Sequence, residues 1–295
     1  MSPFAIIDIP ADAREDTEQL GSKPKFWVLL DDARWLFKEA RPNTGEDWAE
    51  KVAAEIARAL GVGAAAVELA SYQGRRGCIS LNFIDVDGGE ALIHGNEILA
   101  GTVTGYDKAK EFRQSDHTIE NIQLAMRGIF LDPSKADSVL TSLAAYMVLD
   151  ALIGNTDRHH ENWGLKLAVA GQSRILDVAP SFDHASSLGR ELRDERRAVL
   201  MAENRVAWYV GKGRGGLFKD PNQPHGANPL SLVRLAARAY PNYFRAALER
   251  VAALQPATVD AILAALPSAR ASAVAIQFAS AMIRCARTSL IEILK

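Results

Sequence analysis

Residues 144–188 read AAYMVLDALIGNTDRHHENWGLKLAVAGQSRILDVAPSFDHASSL, and this run decides the fold. Its first part is apolar at helical spacing, at Met147, Val148 and Leu152, which predicts a buried helix. We expect the helix to end at Gly154, because glycine readily adopts the left-handed conformation that closes many helices. The residues that follow are therefore delivered to a fixed place.

Two carboxylates and one amide come after this helix. Asp157 is followed five residues later by Asn162, and Asp183 comes after residues 163–178, whose apolar runs and central turn predict a β-hairpin. Phosphoryl transfer needs this spacing, with one Asp to orient the accepting hydroxyl and an Asn and a second Asp to hold Mg²⁺ on the nucleotide phosphates. The motif alone is weak, because Asp and Asn are also ordinary turn residues.

The residues around these side chains resemble the catalytic core of the HipA-type serine/threonine kinases, the toxins of bacterial toxin–antitoxin pairs. The resemblance rests on residues 152–157, His159, Asn162, Pro180, Phe182, Asp183 and Ser186. It implies an α+β, two-lobed protein-kinase-like fold with a small antiparallel-sheet N-lobe, residues 1–83, and a larger, mainly helical C-lobe, residues 84–295. It also implies ATP and Mg²⁺ as cofactors, with Asp157 as a catalytic residue and Asn162 and Asp183 as metal ligands.

A second resemblance concerns the acceptor. Asp157-Arg158-His159, together with Phe182-Asp183-His184, is also similar to the phosphatidylinositol 3- and 4-kinase group, which shares the wider protein-kinase-like fold. In both groups a His recurs at the place of His159, which implies that it braces the catalytic loop or helps to move the proton. Zinc is not expected, because no second pair of ligands accompanies His159 and His160.

The upstream half supplies candidates for nucleotide contacts. Residues 26–30 and 34–38 read as a strand and its return strand, preceded by a loop that contains Gly21 and Ser22. This loop resembles the phosphate loop of the HipA-type kinases. In kinase-like folds the second strand carries the lysine that meets the phosphates, and Lys38 lies there. Without this context Lys38 would be an ordinary surface lysine at a strand end.

A helix is predicted over residues 48–60, and either Glu50 or Glu55 could pair with Lys38. Alignment with the family favours Glu50, whereas helical geometry favours Glu55, which lies closer to the apolar stripe; we take Glu50. Two further strands follow. The resemblance implies that the end of the second, from Leu81 to Phe83, is the hinge whose backbone meets adenine.

The resemblance departs from the long members of the family in two respects. The N-terminal subdomain that precedes their phosphate loop is missing here, so a short form with only the kinase core is expected. The loop serine whose phosphorylation switches off the long toxins aligns with Glu18, so that control is not expected. Ser22 and Thr17 are nearby hydroxyls open to modification.

Three other segments carry weaker signals. Residues 85–97 are rich in Gly and Asp, which favours a lobe boundary over a regular element. Residues 190–197 mix Arg with Glu and Asp, a pattern typical of a solvated face, at the place where kinases keep the activation segment. Residues 212–216, KGRGG, are basic and Gly-rich, which suits either an approach to phosphate or a flexible loop.

Composition limits the classes of function. The 295 residues are 48% hydrophobic, enough for a sizeable core, and the net charge of −2 argues against general nucleic-acid or membrane binding. Two cysteines without a metal or disulfide pattern fit a cytoplasmic location. Residues 1–15 lack the features of a signal peptide, and the apolar region 271–294 is interrupted by arginines, so no membrane span is expected.

The sequence therefore leaves three functions open. The first is an ATP- and Mg²⁺-dependent protein serine/threonine kinase, a toxin or effector with an antitoxin partner. The second is a kinase of a lipid or small molecule, and the third is a binding module that keeps the fold without activity. The third is disfavoured, because every expected catalytic residue type is present.

Overall fold

A computed structural model describes residues 2–17, 24–110, 113–171 and 173–295. Gly21, Ser22 and Glu18 lie outside the described residues. The strands are β1 Ile6–Ile9, β2 Arg14–Thr17, β3 Lys25–Leu30, β4 Ala33–Glu39, β5 Val67–Tyr72, β6 Arg75–Leu81, β7 Ala91–His94, β8 Gly164–Ala170 and β9 Ser173–Val178. The helices are α1 Glu46–Ala59, α2 Gly95–Ala100, α3 Ile119–Ile129, α4 Pro133–Ile153, α5 Asp194–Ala202, α6 Val206–Lys212, α7 Pro229–Ala239, α8 Pro241–Ala253, α9 Pro256–Ala264 and α10 Ala273–Ile291.

A six-stranded sheet in the order β1-β5-β6-β4-β3-β2 forms the N-terminal part. The strands expected from the sequence correspond to β3 through β6, and β1 and β2 extend the sheet at its two edges. β1 runs parallel to β5, so the sheet is antiparallel in all its pairings except this one. Phe26, Phe37 and Tyr72 pack together on it, with ring centroids of Phe26 5.0 and 4.8 Å from the other two.

Helix α1 is buried on two sides. It packs on β5 and β6 and also contacts α9. Its residues Trp48, Val52 and Ile56 are at most 2% exposed and belong to the same apolar core as the C-terminal helices. The core is thus continuous between the sheet and the helices, and the boundary near residue 83 stays a prediction.

Helix α4 is the central helix of the C-terminal part and contacts α3, α7, α8 and α10. It begins at Pro133 after Asp132, whose side chain accepts the N–H of Ser134 at 2.9 Å, and it ends at Gly154, where φ is 67°. It is long and apolar enough to cross a membrane, but 78% of its apolar window is buried inside the protein, as expected of a core helix.

The predicted hairpin is present as β8 and β9, and β7 completes a three-stranded sheet in the order β7-β8-β9. The sequence interpretation of residues 85–97 as lacking a regular element was wrong for its second half, which holds β7 and the start of α2. Ile93 of β7 pairs with Leu165 of β8. This partner is far away in the sequence, so local composition could not reveal the strand.

A buried ion-pair cluster joins α1, the sheet and the segment before α10. The side chain of Asp47 has no solvent exposure and accepts hydrogen bonds from Arg76 at 2.7 and 3.0 Å and from Arg270 at 2.9 Å. Arg270 also donates to the carbonyl of Ala70 at 2.8 Å and to Ser71 Oγ at 2.7 Å. One carboxylate thus fixes three parts of the chain.

We expect Asp47→Ala to lower the free energy of unfolding by about 3–5 kcal/mol, because it leaves a buried guanidinium without its counter-charge. Urea unfolding followed by circular dichroism measures the change. Asp260→Ala is the matched control, since its pair with Arg284 is solvent-exposed and should contribute about 0–1 kcal/mol. Equal losses in the two variants would contradict the role given to Asp47.

Candidate active site

The sheet and the segment after the hairpin meet at one carboxylate. Lys38 on β4 and Lys25 on β3 are direct neighbours across the two strands. Nζ of Lys38 lies 3.4 Å from Oδ1 of Asp183, and Nζ of Lys25 lies 3.8 Å from Oδ2. Asp183 has a left-handed backbone with a φ of 59°, which non-glycine residues adopt rarely and often at functional sites. The structure therefore brings Lys38 and Asp183 together.

Neighbouring carboxylates keep the Lys38 amine protonated. Burial alone would lower the pKa of this amine, but the carboxylates of Asp183 and Glu50 outweigh burial and raise the pKa above its ordinary value. Lys38 therefore remains a cation at neutral pH. A fixed cation beside a carboxylate is the arrangement expected where anionic phosphates bind.

Glu50 lies on the same side as Lys38, in the interior. Its carboxylate is 1% exposed, and its Oε1 is 3.6 Å from Nδ1 of His184. Burial acts to raise the pKa of Glu50, but the Lys38 charge and the neighbouring His184 ring lower it overall. Glu55 instead contacts Lys51 at 2.8 Å and Arg58. Of the two glutamates left open by the sequence, the structure places Glu50 towards Lys38.

Hydrogen bonds within the loop after α4 fix the positions of Asp157 and Asn162 relative to each other. The side-chain amide of Asn162 donates to the carbonyl of Asp157 at 2.7 Å, and the N–H of Asp157 donates to Oδ1 of Asn155 at 3.1 Å. Because Nδ2 of Asn162 is used in this way, its Oδ1 is the atom suited to a cation. Asn162 is 5% exposed and is held in one orientation.

Arg158 is the main brace of this loop, and the sequence did not predict it. Its guanidinium donates to both oxygens of Asp150 at 2.7 and 2.8 Å. It also donates to the carbonyl of Asn162 at 2.5 Å, to that of Phe182 at 3.3 Å and to Ser181 Oγ at 2.9 Å. One buried cation thus connects α4, the loop with Asn162 and the residue before Asp183.

One feature of the sequence could have indicated the role of Arg158. Asp150 is a charged residue inside an otherwise apolar helix, and a buried carboxylate needs a partner. The resemblance assigned the bracing role to His159. In the structure, Nδ1 of His159 accepts the backbone N–H of Glu161 at 3.3 Å, and the backbone N–H of His159 donates to the carbonyl of Asp157 at 2.8 Å. These contacts of His159 are local, whereas Arg158 spans three segments.

A chain of hydrogen bonds leads from Asp157 to α1. Ser186 Oγ donates to Oδ2 of Asp157 at 3.3 Å, and Arg190 donates to Ser186 Oγ at 3.1 Å. The same guanidinium donates to Glu46 at 2.8 Å. The expectation of a solvated face over residues 190–197 was wrong for Arg190, whose side chain is 18% exposed, and for the buried Arg197. Helix α1 is therefore connected to the candidate catalytic carboxylate.

The predicted hinge lies close to the segment that carries Asp183. The ring of Phe83 is 5.8 Å from that of Phe182, the residue before Asp183. Two backbone groups of the segment already have partners, because the N–H of Leu81 donates to Ala66 at 2.9 Å and the carbonyl of Phe83 accepts Lys166 at 3.0 Å. The contact of Leu81 and Phe83 with adenine stays a prediction.

The donor set fits a hard cation that keeps water ligands. The described residues contain no cluster of three or more His, Cys, Asp or Glu side chains that could hold a metal. Asn162 and Asp183 offer an amide oxygen and a carboxylate on two segments that Arg158 ties together. Mg²⁺ is commonly held by one or two protein ligands, with phosphates and waters completing its shell.

Two buried histidines make hydrogen bonds that hold the residues around the Asp157 loop in place. Nε2 of His117 accepts the indole N–H of Trp163 at 3.0 Å, and its Nδ1–H donates to the carbonyl of Gly216 at 2.9 Å. Burial lowers the pKa of His117 to about 3. His160 bonds with the hydroxyl of Tyr106 at 2.7 Å, and burial lowers its pKa to about 4. Both rings are therefore neutral in the folded protein.

We expect His117 to make the fold sensitive to acid. Its pKa is about 3 when folded and near 6.5 when unfolded, so only the unfolded chain gains this proton as the pH falls below about 6.5. The free energy of unfolding should drop by roughly 2 kcal/mol between pH 7 and about pH 5 from this group alone. Urea unfolding at a series of pH values should show a correspondingly shallower dependence for His117→Gln.

A family model described as the HipA-like C-terminal domain matches residues 19–262. No curated protein matches the chain by sequence. Many solved structures are similar in fold, among them the following two. The proinflammatory kinase CtkA of Helicobacter pylori superposes with a TM-score of 0.78 at 18% identity, covering 98% of this chain and 96% of that chain.

The second solved structure is HipA of Shewanella oneidensis MR-1, determined with HipB and operator DNA. It gives a TM-score of 0.59 at 11% identity, covering 96% of this chain and 66% of that chain. These likenesses confirm the predicted α+β kinase-like fold. Because the family model spans most of the sequence, the chain belongs to the HipA-like C-terminal domain family.

Proposed function

We propose that the protein is a kinase that uses ATP and Mg²⁺ to phosphorylate a serine or threonine hydroxyl of another protein. The observation that carries the proposal is the contact of Lys38 with Asp183 at 3.4 Å, where the sheet meets the segment tied by Arg158 to the Asp157 loop. A cation for phosphates, two side chains that could bind a metal and a carboxylate for the acceptor are then connected through these contacts.

Each side chain has a distinct role in this proposal. Asp157 orients the acceptor hydroxyl and takes its proton late in the transfer. Asn162, through Oδ1, and Asp183 would hold Mg²⁺, which would neutralise charge on the phosphates. Lys38 binds a phosphate oxygen, and the loop with Gly21 and Ser22 covers the phosphates.

Glu50 supports Lys38 in this scheme. Among the described residues, Oε2 of Glu50 is buried and has no hydrogen-bond partner. A buried carboxylate oxygen without a hydrogen bond costs free energy. The nearby positive charge of Lys38 lowers this cost. Glu50 is thus a counter-ion for Lys38 that does not compete for the proposed metal ligands.

We expect Asp157→Ala and Asp183→Ala to abolish transfer of radiolabel from γ-labelled ATP, by at least about a thousandfold, because each removes a group that acts in the transition state. Thermal unfolding should show that both variants still fold. Asp12→Ala, at an exposed site, serves as the control and should keep wild-type activity. Wild-type turnover in either active-site variant would show that the assignment is wrong.

Ser186 is a positioning residue through its hydrogen bond to Asp157. Removing one hydrogen bond to a charged group costs about 1.5 kcal/mol, so Ser186→Ala should lower kcat roughly tenfold with little change in the KM for ATP. Ser186→Thr keeps the hydroxyl and should restore most of the rate. A rise in the KM for ATP with unchanged kcat would show that Ser186 acts elsewhere.

The same labelling assay separates the acceptor classes when cell lysate and lipid extract are supplied. Label on a protein band supports the proposal, and label in the organic phase supports a lipid kinase. The triplet 157–159 favoured the lipid alternative in the sequence, but its Arg158 is consumed by structural contacts and identifies no acceptor.

We further propose a cytoplasmic toxin or effector role with a small antitoxin partner, by analogy with the HipA that was solved with HipB. A neighbouring gene for a small helix-turn-helix protein, whose product co-purifies with the chain, would support this role. Growth of the host unaffected by overproduction of the active protein would count against a toxin.

A further inference from the structure

Two cavities, each of about 280 Å³, flank the loop that carries Asp157. Asp157 lines one of them, Ser186 lines the other, and Thr156 lines both. The basic, Gly-rich residues 212–216, called here the 212–216 loop, form a wall of each cavity, and Arg214 borders both. A segment that the proposed roles leave unused is thus the neighbour of the candidate catalytic carboxylate.

The 212–216 loop is held firmly, so the alternative of a flexible linker is not supported. The N–H of Gly215 donates to Ala227 at 2.8 Å, and the side chain of Asn228 donates to the carbonyl of Gly213 at 3.1 Å. The carbonyl of Gly216 accepts the ring N–H of His117 at 2.9 Å. Each end of the loop is therefore fixed to the helical part.

The glycine at position 216 lets the two loops touch. A Cβ there would lie 2.7 Å from the backbone N of His159 and 2.8 Å from the carbonyl oxygen of Arg158. Such distances are too short for any side chain, so residue 216 must be glycine for the backbones to pack in this way. The placement of Arg214 beside Asp157 is consequently built into the fold.

The charges around the cavities are mostly positive. The cavity at Asp157 is lined by Arg113 and Arg214, and Asp157 is the acid among its described lining residues. The other cavity adds Lys212, which lies over the exposed ring of Trp208 at 5.3 Å. Glu191 is the acid among its described lining residues, and it is outnumbered by Arg190, Lys212 and Arg214. A group that enters beside the acceptor hydroxyl therefore meets a surplus of cations, which attracts an anion.

We propose that Arg214 on the 212–216 loop selects the acceptor, and that the preferred acceptor is a protein segment with acidic side chains next to its serine or threonine. The inference rests on the proposed kinase function and names its substrate class. Asp157 would receive the hydroxyl while Arg214 pairs with a flanking carboxylate. Lys25 and Lys38 face Asp183, so the nucleotide and the acceptor use different cations.

The test uses two peptides of equal length, each with one serine, flanked either by glutamates or by lysines. The full chain should phosphorylate the glutamate peptide with a kcat/KM about tenfold higher, and Arg214→Ala should remove most of this preference. Arg214→Glu should reverse it in favour of the lysine peptide. The KM for ATP should be unchanged, which separates acceptor binding from contact with the nucleotide.

Lys219→Ala is the matched control, because this exposed lysine is close in sequence but lines neither cavity. It should keep the wild-type preference. Binding of the same peptides, labelled with fluorescein and followed by anisotropy, gives a readout that needs no turnover. The glutamate peptide should bind more tightly to the wild type than to Arg214→Ala, and added salt should weaken it.

The outcomes distinguish this inference from the function on which it rests. If Arg214→Ala lowers activity on both peptides equally, or if neither peptide binds while a lysate protein is still labelled, the acceptor inference is wrong and the kinase stands. If the wild type labels no protein and forms no ADP, the proposed function fails. A preference for the lysine peptide by the wild type would also overturn the inference.

Discussion

Lys38 and Asp183 come from opposite halves of the chain, and the ion pair between them sets the geometry of everything around it. A buried ammonium is stable as a cation only where carboxylates surround it, and Asp183 and Glu50 supply them. The sheet must therefore place Lys38 where it meets the helical part, and the chain after the β8–β9 hairpin must place Asp183 next to it. A change that separated these two would remove one of the two carboxylates that keep the buried Lys38 amine charged.

Arg158 helps to hold the segment that carries Asp183 in place. The segment before Asp183 belongs to no helix or strand, and it is held by the backbone hydrogen bonds of Ser181 with Gly63 and Ala65 together with side-chain contacts. The guanidinium of Arg158 bonds to Asp150 in α4 and to the carbonyls of Asn162 and Phe182. The planar fork of arginine can make these bonds together, which a lysine could not. Arg158 therefore positions the candidate metal ligands, although it has no chemical role in the proposed transfer.

Much of the site was predictable because residues 144–188 hold a helix, its terminator, a hairpin and the polar residues in one continuous run. Helix ends depend on local residues, so Gly154 could be placed. Lys38 could be placed because only one lysine of the return strand faced the expected loop.

The rest depended on contacts between distant residues. Glu50 and Glu55 both lie on α1, and only packing against the sheet decides which one turns towards Lys38. The partner of Asp150 could not be chosen from the sequence, and β7 is defined by its pairing with β8. The sequence left open a flexible loop at residues 212–216, because the hydrogen bonds that hold it come from His117, before α3, and Asn228, before α7.

The two-sided burial of α1 bears on how such an enzyme could be switched. In a fold where this helix rests on one side only, swinging it outward is an inexpensive way to interrupt catalysis. Here an outward swing would expose Trp48, Val52 and Ile56, at about 1.5–3 kcal/mol for each large side chain. Such a movement would take up much of the stability of an ordinary domain. Regulation by an outward movement of this helix is therefore disfavoured.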